Sequence, residues 1–366
     1  MAKIGRSLQD LAAEIERRAE AKADYIAPVQ KLEMVVVEDK PALALANGTV
    51  KTFEASEIAN GQLAEYTGIP MAYYRRMMAD DPALLASNVN RWLKDKAQAG
   101  ERRMLRTLDG KARALLSDRY RALENEDLAE AVLPVLLEQE LIIVSAEITE
   151  RRLYIKAVDK RITVDVPTGR AMGDGSHVFF DTCSPAITIS NSEVGSGALS
   201  IETGVFTKVC TNLAMIGTNL RKYHTGQRAS ISDEVYALLT DETRAQSDKA
   251  VWMQTRDLVR AAFDRAKFDA TLAKLGNAAA DRIEPEKAVE VVERVGRKFS
   301  FTEGERKGVL ARLIADADLT RYGLHAAITR YSQDNAVGYD RATELERIGG
   351  DVIELSANDW RVLEAA

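Results

Sequence analysis

From Leu141 to Thr203 apolar and polar residues alternate with a period of two, in the runs LIIVSAEI, RLYIKAV, RITVDV, HVFF, AITIS and ALSIET. Short polar or glycine-bearing turns separate the runs, which predicts an antiparallel β-meander. GVFTKVCTNLAMIG then returns to helical spacing, with Val205, Phe206, Val209, Cys210 and Leu213 on one face. This predicts a helix over 204–216 packed on the sheet.

The flanks read mostly as helices. Residues 7–24 open with Ser7, a capping residue, and carry a Leu8, Leu11, Ala12, Ile15 stripe, which predicts a charged amphipathic helix. KLEMVVVE, ALALA and TVKTFEA predict short strands. Three helices follow, punctuated by Gly68-Ile69-Pro70 and Asp80-Asp81-Pro82, where each proline suits a first helical turn. Residues 103–117 predict a hairpin about Asp109-Gly110, with Leu108 facing Lys111, Arg106 facing Arg113 and Met104 facing Leu115. A helix from about Asn125 is tilted or interrupted near Pro134, and everything after Ile231 reads as helix with breaks at DRIEPEK and FSFTEGER. The fold class is α+β, a mostly antiparallel sheet with packed helices and a helical C-terminal region. Three units are expected: 1–100 with a helix-turn-helix-like segment, a central core over 101–230, and 231–366.

Composition changes this picture little. A chain of 366 residues, 46% apolar and 29% charged, is an ordinary globular composition, and no apolar run approaches the roughly 20 residues that span a bilayer. With no signal-like start, the expected location is the cytoplasm. Cys183 and Cys210 fit no metal or disulfide pattern and read as buried thiols.

Charge is more informative. The net charge of −6 argues against indiscriminate coating of nucleic acid, yet residues 91–121 hold 10 basic and 4 acidic groups. An Arg106–Arg113 pair across a hairpin is repulsive unless a carboxylate or a bound anion lies between. SDRYRA places Tyr120 between Arg119 and Arg121, and NLRKYHTGQR places Tyr223 among Arg221, Lys222 and Arg228. Cations that hold phosphates beside rings that stack bases are the components of single-strand binding. The candidate contacts are therefore Arg103, Arg106, Lys111, Arg113, Arg119, Tyr120, Arg121, Lys208, Arg221, Lys222, Tyr223 and Arg228. On the second helix of the helix-turn-helix-like segment, Tyr73, Tyr74, Arg75 and Arg76 are expected to be exposed.

Catalytic patterns are weaker. SNSEVGSGALS lacks the lysine and following helix of a P-loop and the spacing of a nucleophile elbow. It reads as a hairpin turn in which Gly195 and Gly197 use positive φ and Ser192 and Glu193 carry no chemistry. His177, His224 and His325 are scattered, and Asp174, His177 and Asp181 cluster only within a glycine-rich loop. No metal, cofactor or catalytic set is expected.

The strings EIANGQLAEYTGIPMAYYRRM, ALLSDRYRALENEDLAEAVLPVL, SNSEVGSGALSIETGVFTKVCTNLAMIG with RKYHTG, and YGLHAAITRYSQD occur in order over roughly residues 55–335. Together they resemble the phage and plasmid family called domain of unknown function 932. The resemblance implies a mobile-element protein and carries over no catalytic residue. The architecture is also similar to that of phage single-strand annealing proteins of the RecT, Redβ and Erf kind, which implies binding and annealing of single-stranded DNA by a homo-oligomer. Two alternatives stand beside it: a phage regulatory or anti-defence protein that binds a host protein, and a hydrolase or nucleotide-binding protein using the Asp174–Glu193 region.

Overall fold

The Ser7 hydroxyl accepts the Asp10 N–H and starts α1 (Leu8–Ala21), which buries Leu11 and Ile15. The computed structural model describes residues 5–171, 178–208, 212–217, 219–222 and 241–364. After α1 the chain does not continue as helix to residue 24. Lys22–Pro28 forms β1, an antiparallel partner of β5 (Arg102–Leu108), which pairs in turn with β6 (Lys111–Ser117). Between them, β2 (Leu32–Val37), β3 (Lys40–Asn47) and β4 (Thr49–Glu54) make a second three-stranded sheet.

This N-terminal half is closed by α2 (Glu57–Thr67), α3 (Met71–Asp80) and α4 (Pro82–Gln98). Gly68, at φ 71°, ends α2 in the left-handed conformation that glycine adopts without penalty. Pro70 occupies the cap of α3, one residue before the expected first turn, whereas Pro82 opens α4 as expected. Leu105, Ala112 and Leu115 of the hairpin share one core with Leu45, Leu63, Leu85 and Val89, so packing crosses the division expected at residue 100. Tyr74, expected on the surface, is fully buried and donates to Asn60 Oδ1 at 2.8 Å. Tyr73 is exposed, and Arg75 and Arg76 are bound to Glu57 and Asp80.

The hairpin turns at Asp109 and Gly110, both at positive φ, with Leu108 opposite Lys111 as expected. Beyond that the register shifts by a bulge between Arg106 and Thr107. Arg106 therefore faces Ala114 and Met104 faces Leu116, and the expected Arg106–Arg113 and Met104–Leu115 pairs do not form.

The principal sheet follows α5 (Asn125–Glu138), within which Pro134 lies. It contains β7 (Ile142–Ile148), β8 (Leu153–Val158), β9 (Val164–Ala171), β10 (Val178–Asn191), β11 (Leu199–Thr207), β12 (Asn212–Ala214) and β13 (Asn219–Lys222). Every pairing is antiparallel; the path runs β12-β11-β10-β8-β7, with β9 on the other half of β10 and β13 on β11. The helix expected over 204–216 is absent from the described part of that segment. Phe206 lies in β11 and is paired with Leu213 of β12, and both are buried. A spacing of seven fits two helical turns, but it also fits two residues that meet across a tight strand pair.

The C-terminal region is helical: α6 (Asp241–Ala261), α7 (Arg265–Ala280), α8 (Ala288–Lys298), α9 (Glu303–Ala315), α10 (Arg321–Tyr331), α11 (Tyr339–Glu354) and α12 (Ala357–Glu364). The fold is α+β with this helical C-terminal region. No helix among the described residues is long and apolar enough to cross a membrane.

Both faces of the principal sheet are covered, in different ways. Leu153, Ile155, Ile187, Ile189 and Ile201 form an apolar face against α1, α5 and α6. The alternate residues Tyr154, Lys156, Thr188, Ser190, Ser200 and Glu202 are also buried, and α11 packs over this polar face. Burying such a face is costly unless its groups are paired, so its contacts with α11 define the interior chemistry of the molecule.

Candidate functional site

Three elements meet at one end of the polar face. The β7–β8 turn is held by Thr149, whose Oγ accepts the N–H groups of Arg151 and Arg152 at 3.1 and 3.0 Å. This side-chain turn aims two arginines from one corner. The β10–β11 loop supplies the second wall. Ser192 Oγ donates to the Arg151 carbonyl at 2.8 Å, while Arg152 donates through Nη2 and Nε to the Ser196 carbonyl at 2.8 and 3.1 Å. The third wall is α11, where Asp340, Thr343, Glu344 and Arg347 line the cleft from one helical face.

The cleft encloses about 390 Å³. Arg151, Arg152 and Arg347 line it, and none has a carboxylate partner among the described residues. Hydroxyls of Ser190 and Ser200, 3.1 Å apart, form its floor. Thr343 is only 7% exposed, and its Oγ1 has no hydrogen-bond partner among the described residues. The buried Thr343 hydroxyl lacks a partner among the described residues, and beside three guanidiniums that no carboxylate neutralises it is placed to donate to an oxyanion. No histidine, cysteine or lysine lines this cleft among the described residues.

Tyr154 donates to Asp340 Oδ1 at 2.8 Å, and the Thr149 hydroxyl reaches the same oxygen at 3.0 Å. Farther along the face, Lys156 and Glu346 form a buried ion pair of 2.6 Å. Together these contacts seat α11 on the sheet.

The residues expected to bind nucleic acid do not gather at this cleft. Arg106 is fully buried; Nε meets Asp24 at 3.0 Å, Nη2 meets Glu124 at 2.6 Å, and Nη1 donates to the Glu193 carbonyl at 2.8 Å. Arg113 pairs with Glu193 at 2.8 Å, so carboxylates of the protein itself supply the anion that the hairpin charges called for. Burial pushes Glu124 up, but Arg106, a hydrogen bond with Glu193 and Lys22 outweigh it and hold Glu124 at about 2. Glu193 is raised, by burial first and then by the Glu124 charge.

Arg103 stacks on Tyr66 at 3.7 Å and pairs with Glu101, and Lys111 pairs with Glu54 at 3.1 Å on the surface. Tyr120 donates to the Ser192 carbonyl at 2.9 Å, burial raises its pKa, and Arg121 pairs with Asp248. Its ring is thus partly enclosed. Arg119 and Lys208 are exposed. Arg221 and Lys222 belong to β13, opposite Ser200 and Leu199, while Tyr223 and Arg228 lie outside the described residues.

The proposed Asp174–Glu193 constellation fares similarly. Asp174, His177, Cys210 and His224 lie outside the described residues. Asp181 is buried and accepts from Tyr322 at 2.5 Å. It lies on β10 roughly 35 Å, at about 3.3 Å per residue, from Ser192 and Glu193, so these three do not converge. His325 is buried with Nδ1 2.8 Å from the Gly349 carbonyl, and burial lowers its pKa. Cys183 is a buried thiol, as expected.

The sequence reading missed Arg151, Arg152, Asp340, Thr343 and Arg347. The available signal was the paired arginines of a tight turn and a polar stripe at 340, 343, 344 and 347, a pattern shared with solvated helix faces. Comparison with known proteins adds nothing: no family model matches the chain, and no curated protein or solved structure is significantly similar to it.

Proposed function

We propose that the protein binds, without covalent chemistry, the phosphate of a nucleic-acid-type ligand in the cleft between the β7–β8 turn, the β10–β11 loop and α11. The observation that carries this reading is that Arg151, Arg152 and Arg347, without carboxylate partners among the described residues, line one cleft with the unpartnered hydroxyl of Thr343. Planar guanidiniums recognise phosphate by paired hydrogen bonds, and these three contrast with Arg106, Arg113 and Arg121, which are committed to internal carboxylates. Single-stranded DNA, expected from the basic and aromatic clusters, is one bearer of that chemistry, and a free nucleotide is the other. The phage and plasmid resemblance suits either.

The test is a salt-dependent titration with single-stranded DNA, duplex DNA and mononucleotides, comparing the wild type with Arg347→Ala. Binding of at least one of these, weakened tenfold or more by Arg347→Ala, supports the reading. For a strand, log K against log salt should fall by about 0.7 per phosphate held. Absence of binding to every phosphate ligand, or binding indifferent to Arg347, overturns it.

A second reading has an observation of its own. The basic side chains of 103–121 are largely paired with acids inside the fold, which favours a regulatory protein that acts by binding another protein. Copurification of a stoichiometric protein partner, with no affinity for phosphate ligands, would establish it.

A further inference from the structure

Three carboxylates line the cleft among the described residues, Glu202 on the sheet and Asp340 and Glu344 on α11, and the two on α11 restrict what the phosphate can be attached to. Asp340 uses Oδ1 for Tyr154 and Thr149, and Glu344 uses Oε2 for Arg341 at 2.7 Å. Each keeps one oxygen without a partner among the described residues, and both line the same cleft as the three arginines. A bare polyanion entering here would meet acceptors it cannot satisfy and charges that repel it. A ligand that carries hydrogen-bond donors a few ångströms from its phosphate meets both halves of the site. Vicinal hydroxyls of a sugar are such donors, and a carboxylate accepting from ribose hydroxyls is a recurrent means of nucleotide recognition.

Size points the same way. About 390 Å³ lies near the lower end of the roughly 300–1,000 Å³ range of small-molecule sites, which suits a single sugar-phosphate or mononucleotide unit. Tyr154 is the single aromatic residue lining the cleft among the described residues, and it is 4% exposed with its hydroxyl committed to Asp340. A base would find little ring surface to stack on, so recognition falls on phosphate and sugar.

Resting on the phosphate-binding reading, we infer that the cleft takes a single phosphate monoester of a sugar with vicinal hydroxyls, its phosphate on Arg151, Arg152 and Arg347 and its hydroxyls on Asp340 and Glu344. A 5′-ribonucleotide and a free pentose phosphate share this chemistry.

Calorimetric titration of the full chain with AMP, dAMP, ribose 5-phosphate and inorganic phosphate tests it. The expected result is AMP or ribose 5-phosphate binding at least tenfold more tightly than dAMP and inorganic phosphate. Comparable affinity for AMP and ribose 5-phosphate identifies the sugar phosphate as the recognised unit, and preference for AMP identifies the nucleotide. Glu344→Ala, on an exposed helical position, should shrink the AMP-to-dAMP ratio at least threefold without loss of folding, and Asp340→Asn should do the same if the fold holds. Equal affinity for AMP and dAMP in the wild type overturns the sugar inference and leaves phosphate binding standing. Failure of all four ligands to bind overturns both.

Discussion

The buried Oγ of Ser192 donates to the carbonyl of Arg151, 2.8 Å away, and thereby ties the β10–β11 loop to the β7–β8 turn. The same Oγ accepts the Ser196 N–H at 2.9 Å, and Arg152 returns to the Ser196 carbonyl. The circuit is closed. A loop whose polar residues look decorative in the sequence ties down the backbone of Arg151 and the side chain of Arg152.

Ser192→Ala should therefore not be silent. It leaves the Arg151 carbonyl and the Ser196 N–H short of a partner, a cost of about 1–3 kcal/mol. Melting temperature should fall, and affinity for a phosphate ligand should drop several-fold because the turn carrying Arg151 and Arg152 loosens. A variant that melts and binds like the wild type would show that the circuit does not position these arginines.

Arg106→Ala separates the two accounts of the basic hairpin. If Arg106 and Arg113 faced each other as unsatisfied like charges, removing one would stabilise the protein. In the fold, removal strands Asp24, Glu124 and the Glu193 carbonyl around a vacated buried site. Breaking a buried pair from one side costs about 3–5 kcal/mol. Urea denaturation should show a loss of that order, and an unchanged or raised midpoint would return Arg106 to the role of ligand contact.

Glu124 and Glu193 lie side by side with opposite perturbations, so pH should tell them apart. Glu124 is held at about 2 against an ordinary 4.5, so its ionised form contributes stability that is present above 4.5 and lost as pH falls toward 2. Glu193 is raised, so the stability its protonation contributes is present below 4.5 and lost as pH rises through its folded value. At neutral pH, Glu124→Gln should destabilise by about 1–3 kcal/mol, since it removes one of the two carboxylates that face the buried Arg106. Its deficit should shrink as pH falls below 4.5. Glu193→Gln should show the opposite trend, its cost relative to the wild type falling as pH rises through the acid range. Denaturation of both variants across the acid range checks this, and the same pH trend in both would contradict it.

How much of this was legible depends on whether a pattern has one structural meaning. Alternation along Leu153–Val158 and Ile187–Ser190 has one, so β8 and β10 were readable from the sequence. The seven-residue spacing of Phe206 and Leu213 has two, and the strand pair prevailed over the helix. Lys22–Pro28 was missed because its charged start continues the composition of α1, and only pairing with Arg102–Leu108 makes it a strand. The cleft was illegible for a different reason. Arg151 and Arg152 sit in an ordinary turn and Arg347 on an ordinary helix, about 195 residues apart in the chain, and only the packing of α11 on the polar sheet face joins them.

Gly197 gives the most stringent test of that joining. Its φ is 149°, and the space a Cβ would fill is occupied by the guanidinium of Arg152. Gly195, two residues earlier at φ 73°, would place a Cβ 2.7 Å from Leu116 Cδ2. Alanine at either position should destabilise by about 1–3 kcal/mol through backbone strain and crowding. The two should differ in binding. Gly197→Ala displaces Arg152 and should weaken a phosphate ligand at least fivefold, while Gly195→Ala presses on a leucine and should leave affinity within about twofold. The coupling can be isolated: in an Arg152→Ala background the crowding is gone, so adding Gly197→Ala should cost markedly less stability and no further affinity. Full additivity in that double-variant cycle, or undiminished affinity of folded Gly197→Ala, would remove Arg152 from the ligand site.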